Sequence, residues 1–130
     1  MVDRLFICSS TYIILGHKVQ EFPHAVDEES AELIARIMGA LSTGSRVRIL
    51  AVLRDGPSGV TDLADRLGME KSAVSHQLRV LRDLGLVTPT RSGRNISYAL
   101  HDEHVALLID QAVYHLAHRR IGLTQPFAQD

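Results

Sequence analysis

Four side chains near the end of the chain have the types and spacing to hold a metal ion. Asp102, His104, His115 and His118 form the pattern D-x-H-x10-H-x2-H. Imidazole nitrogen and carboxylate oxygen are good ligands for divalent transition metals. His115 and His118 are three positions apart, so on a helix both project from one face and can grip a single ion. His104 precedes His115 by eleven residues, near three full turns, and so shares roughly that side. At the standard rise this separation is about 16 Å, whereas metal–ligand bonds are about 2 Å. One ion therefore cannot reach both ends of one helix. An antiparallel pair of such helices resolves the geometry, because the Asp102/His104 end of each would meet the His115/His118 end of the other. One carboxylate and three imidazoles suit tetrahedral Zn(II) or Co(II), and extend to octahedral Ni(II) with further donors. The plainer use of the same residues is to cap and solubilise an exposed dimer helix.

A helix must position these groups, and the apolar pattern supplies one. Asp102 opens a helix to about Arg119, with Val105, Leu108, Ile109, Ala112, Val113 and Leu116 on a broad stripe. His101, just outside the pattern, reads as a solvated helix-entry residue. Upstream, Asp27 is placed to cap a first helix, Glu28 and Glu29 suit its first turn, and Leu33, Ile34, Ile37 and Leu41 recur at helical spacing. A second helix from about Ser45 to Arg54 turns Val47, Leu50 and Leu53 inward and stops at Gly56-Pro57. Thr61 to Leu67 form a short third helix, stopped by Gly68. Ser72 then caps a fourth, whose inward residues Val74, Leu78 and Leu81 precede a stop at Gly85. Two β-prone runs, Leu86–Thr88 and Ile96–Leu100, flank Arg91-Ser92-Gly93-Arg94 and predict a hairpin with a basic tip.

Composition agrees with a mainly helical domain. The chain has 130 residues, 45% hydrophobic and 22% charged, with 5% aromatic residues and no Trp, so its core is aliphatic. One cysteine, Cys8, excludes an intramolecular disulfide framework, and no apolar run is long enough to span a bilayer, so a soluble, cytoplasmic protein is expected. The net charge of −1 names no partner, but its distribution does. Residues 71–94 carry Lys71, Arg79, Arg82, Arg91 and Arg94 against Asp83 alone, a balance of +4. Such a block inside a neutral protein is the footprint of a nucleic-acid contact surface. With Val74, Leu78 and Leu81 inward, the fourth helix exposes Ser75, His76, Gln77, Arg79 and Arg82. Small hydroxyls and amides approach base edges, arginines suit phosphates, and the hairpin tip can reach the backbone or a minor groove. The fold class predicted is a winged helix-turn-helix with a two-stranded hairpin wing and a C-terminal dimerisation helix.

At this point the residues resemble a known family. Val60-Thr61-Asp62-Leu63-Ala64, Ser72 to Leu78, Leu81, Leu84-Gly85-Leu86-Val87 and Arg94 to Tyr98 are similar in order and spacing to the ArsR/SmtB family of bacterial metal-responsive repressors, over roughly residues 30–120. The resemblance implies a homodimer that sits on double-stranded operator DNA and leaves when its effector binds. It maps DNA contact onto Lys71, Ser72, Ser75, His76 and Gln77, and metal binding onto Asp102, His104, His115 and His118, the terminal-helix spacing of zinc-, cobalt- and nickel-responsive members. The family's other site, a thiolate pair in the helix before the turn, is absent, since Thr61 to Ala64 hold no cysteine. Met69-Glu70, Tyr114-His115 and Ile121-Gly122-Leu123 resemble the nickel/cobalt-responsive mycobacterial branch, but Arg119 and Arg120 stand where that branch has a further histidine. In nickel-responsive members the N-terminal segment adds donors, which makes His17 and His24 candidates; Cys8 is most simply a free thiol.

The expected organisation is an N-terminal extension over 1–26, the winged domain over 27–120 and a tail over 121–130. Two alternatives compete. A metal-indifferent winged-helix regulator would ignore added metal. A His/Asp metal-dependent hydrolase would need an open coordination position and a general base in a pocket, and no nucleophile constellation is apparent.

Overall fold

The computed structural model describes residues 13–14, 17–18 and 26–122. The chain divides into two compact units, residues 1–34 and 35–130. In the first, β1 (Ile13–Ile14) and β2 (His17–Lys18) pair antiparallel, with Ile14 opposite His17. This small hairpin lies within the expected extension and was not foreseen, because two-residue strands carry no periodicity. Cys8 and His24 lie outside the described residues, and of His17 only the backbone is described.

Helix α1 (Glu28–Ala40) opens on Asp27 as its sequence predicts. An Asp27 carboxylate oxygen accepts the Ser30 N–H at 2.8 Å, and that bond holds the carboxyl below its ordinary pKa. Leu33 and Ile34, which recur at helical spacing, are 52% and 43% exposed. Their spacing marks an apolar face correctly, but a face need not be covered by its own chain.

In the second unit the order is α2 (Gly44–Arg54), β3 (Ser58–Gly59), α3 (Val60–Leu67), α4 (Lys71–Asp83), β4 (Val87–Ser92), β5 (Asn95–Leu100) and α5 (Glu103–Arg120). The strands run in the order β3-β5-β4, all antiparallel. The hairpin is therefore extended by β3, which pairs Ser58 with Tyr98 and Gly59 with Ser97. Ile49 and Leu50 of α2, Leu63 of α3, and Val74, Leu78 and Leu81 of α4 are fully buried, each stabilising by about 1.5–3 kcal/mol. The inward face of α2 is centred on Ile49, Leu50 and Leu53, and Val47 is only half-buried. Helix α5 buries only Val105 and Ile109. Beyond them Ala112, Val113 and Leu116, expected in the stripe, are exposed. Among the described residues, no helix is long and apolar enough to cross a membrane.

Candidate nucleic-acid interface and metal ligands

The turn between α3 and α4 is built by Gly68. Its φ of +63° lies in the left-handed region that favours glycine, and its N–H closes α3 on the Ala64 carbonyl. Three residues later α4 begins at Lys71, with Glu70 in the cap position and no side-chain cap bond. The expected Ser72 cap is thus corrected: the chain turns into helix two residues sooner, and Ser72 lies in the first turn. That turn carries no acidic residue, so the positive end of the helix dipole and Lys71 reinforce one another.

Burial of Val74, Leu78 and Leu81 fixes which side of α4 faces outward. Lys71, Ser72, Ser75, His76, Arg79 and Arg82 are exposed, and Arg82 pairs with Asp83 at 3.0 Å. Gln77 departs from the expectation of an exposed residue. It is half-buried, because it follows Val74 by three positions and flanks the apolar stripe, and its Oε1 accepts from Arg46 Nη1 at 3.1 Å. In the wing, Arg91 and Arg94 are both exposed, and β4 runs through Arg91 to Ser92, so the turn is only Gly93-Arg94. Gly93 takes a φ of +62° there. Arg91 Nε donates to the Gly93 carbonyl at 3.1 Å, which steadies the guanidinium and leaves its amino groups for other acceptors. Helix pair and wing together define a class, the winged helix-turn-helix proteins.

The four metal-type donors all lie at or on α5. Asp102 is the N-cap, its Oδ1 accepting the Val105 N–H at 3.1 Å and lying 3.6 Å from His104 Nδ1. Asp102 and His104 therefore form one pair at the helix start. His115 is exposed, while His118 is half-buried with its ring 4.1 Å from that of Tyr114, edge to face. Among the described residues, no three His, Cys, Asp or Glu side chains of the single chain converge. Imidazoles and a carboxylate, Asp102 beside His104 and His115 three positions from His118 on one helix, are donor types that fit a divalent transition metal.

Two connections tie α5 to the winged domain. His101, exposed at the helix entry as expected, also donates its N–H to the Leu86 carbonyl at 3.0 Å, and its Nδ1 lies 3.0 Å from Thr88 Oγ1 on β4. Further along, Arg54 of α2 forms a two-bond pair with Asp110, Nη2 to Oδ2 at 2.9 Å and Nε to Oδ1. Hydrogen bonding from Arg54, and secondarily its charge, holds the Asp110 carboxyl below its ordinary pKa, and the same pair raises that of Arg54. No sequence motif announced this pair, since its members are 56 residues apart.

Residues 43–88 match the family described as bacterial regulatory protein, arsR family. The HTH-type transcriptional regulator NmtR of Mycobacterium tuberculosis is 53% identical over 113 residues, covering 85% of this chain and 94% of the relative. The solution structure of apo-NmtR superposes with a TM-score of 0.65 at 50% identity, covering 88% of this chain and 98% of that one. A transcriptional repressor SmtB homolog from Synechocystis is 36% identical over 114 residues, 88% of this chain and 86% of its own. A homodimeric winged helix-turn-helix DNA-binding domain from Mycobacterium bovis gives a TM-score of 0.67 at 27% identity, covering 84% of this chain and all of that one. The chain belongs to the arsR family of bacterial regulatory proteins, and is a transcriptional regulator, not an enzyme.

Proposed function

We propose that the chain is a homodimeric repressor that binds operator DNA through α4 and the wing, and releases it when a divalent transition metal, Ni, Co or Zn, binds at the dimer interface. Release would derepress genes for metal efflux or resistance. Ser75 and His76 face base edges, with Lys71, Ser72, Arg79, Arg91 and Arg94 on the phosphates. Asp102 and His104 of one protomer would hold the metal with His115 and His118 of its partner. The observation that carries this reading is α5 itself. Both donor pairs are available on it, and its exposed apolar residues, Val113 at 58% and Leu116 at 49%, lie beside the second pair. That is the composition of a helix made to meet a second chain.

When bound, the metal supplies a fixed cross-link between the two α5 helices. The chain carries any resulting movement directly: β5 ends at Leu100 and α5 starts at Glu103, with His101 bonded back to β4 between them. A change in α5 orientation therefore acts at the base of the wing, not on the DNA-facing surface. The test is binding to a duplex selected by the wild-type chain from a randomised pool, titrated in parallel with Zn(II), Co(II) and Ni(II). At least one metal should weaken binding several-fold or more, the usual range of allosteric coupling. Affinity unchanged by all three would favour the metal-indifferent regulator.

A further inference from the structure

Arg46 stands in the first turn of α2 and touches two other helices, α1 and α4, with one guanidinium. Its Nε donates to the Ala40 carbonyl at 2.6 Å and its Nη2 to the Gly39 carbonyl at 3.4 Å, both at the carbonyl end of α1. Its Nη1 donates to Gln77 Oε1 on α4 at 3.1 Å. A guanidinium is planar and holds its donors in fixed directions, so three simultaneous bonds leave it little freedom. Its charge also sits where the dipole of α1 is negative. The group is half-buried, which removes it from full competition with water.

Helix α4 is held against rolling on one side by Val74, Leu78 and Leu81. Gln77 flanks that stripe, next to His76 and two positions from Ser75 and Arg79. A side chain fixed there sets how α4 turns its outward side. We propose that Arg46 is a positioning residue for DNA recognition, and that Gln77 is the anchor it holds, not a reader of bases. Among the described residues, Gln77 is the one member of the α4 set whose side-chain acceptor is already engaged within the chain. The inference rests on the reading of α4 as the recognition helix and deepens it.

The experiment uses the full chain and a duplex selected by the wild type from a randomised pool, with every base pair of that duplex then varied singly. Arg46→Ala and Gln77→Ala should each cost roughly tenfold in affinity for the selected duplex, the scale of a hydrogen bond to a charged group. Discrimination should fall at several positions together, because the whole helix face shifts. The double variant should be no worse than the worse single one, since the two residues form one link. The salt slope should stay at the wild-type value, whereas loss of a phosphate contact lowers it by about one. Gln77→Glu keeps the acceptor for Arg46 and should retain the wild-type order of base preferences.

Relaxed preference at a single base pair in Gln77→Ala would make Gln77 a reader and overturn the proposal. Additive losses or a reduced slope in Arg46→Ala would overturn it as well. Where Arg46→Ala melts below the assay temperature, Arg46→Lys and the Gln77 variants decide the same question. A wild-type chain that selects no duplex overturns the recognition reading itself. A selective wild type with unaffected variants overturns only the role of Arg46.

Discussion

The helix-turn-helix of the second unit and its last helix are specified differently. In α3 and α4 every residue of the apolar stripe is buried, and both helix ends are closed within the chain, at Gly68 and by the Leu86 N–H on the Leu81 carbonyl. Those elements are complete by themselves. In α5 the same kind of stripe is half used: Val105 and Ile109 are buried, while Val113, Tyr114 and Leu116 stand out in solvent. The donors follow the same division, in two pairs too far apart to share an ion. On the proposed reading, one cause accounts for both the exposed apolar face and the separated donors: the complement of α5 would belong to another copy.

The largest effect should come from testing completeness in the core. Leu78→Ala empties a fully buried site and should lower stability by about 2–5 kcal/mol at every protein concentration. Leu116→Ala removes a side chain of the same kind that is half exposed, so the folded single chain loses little. Its cost should appear as weaker self-association, seen by sedimentation as a shift with concentration. A Leu116→Ala variant as destabilised as Leu78→Ala when fully monomeric would erase the contrast.

The next prediction concerns the donors. His115→Ala should abolish metal-induced release while leaving metal-free DNA binding largely intact, removing a coupling of about 1–3 kcal/mol. Mixed dimers sharpen the geometry. One protomer with Asp102→Ala and His104→Ala, paired with one carrying His115→Ala and His118→Ala, keeps one complete four-donor set only if sites form across subunits. One tightly bound metal per mixed dimer is expected, measured by titration calorimetry. None would place each site within a single chain and remove the shared explanation for packing and chemistry.

The legibility of these two regions in the sequence also differs. Five helices, the glycine turn and the wing could be read because stripes of Leu, Ile and Val and well-placed glycines are local signals. Strand β3 was missed because Ser58-Gly59 is too short to alternate, and it exists through pairing with distant Tyr98 and Ser97. The Ser72 cap failed by two residues, within the range over which helix starts shift. Gln77 was misjudged exposed although its spacing from Val74 placed it beside the stripe. Contacts such as Arg46 with Gln77, 31 residues apart, have no sequence signature at all. For α5 periodicity reported an apolar face correctly but not what covers it. The donor pattern likewise showed which residues suit a metal, and its length along the helix led to the expectation that a second chain completes each set.

The smallest effect tests how firmly the buried part of α5 is tied to the rest. Asp110 lies one position beyond Ile109, the last buried residue of α5, and its bond to Arg54 links α5 to α2 where the exposed segment begins. Its carboxyl is held below the ordinary value, so the folded state favours the charged form. The stabilisation is therefore present above the unfolded-state pKa of about 3.9, and is lost as pH falls through the lower folded value. Asp110→Asn should melt slightly below wild type at pH 7, and the two curves should converge in acid below pH of about 4. Because the side chains are 46% and 35% exposed, salt should shrink the difference at pH 7 as well. A difference that persisted in acid would assign the loss to packing of Asp110 and not to its charge. The boundary between the finished and unfinished parts of α5 would then be set by apolar contact at Ile109 alone.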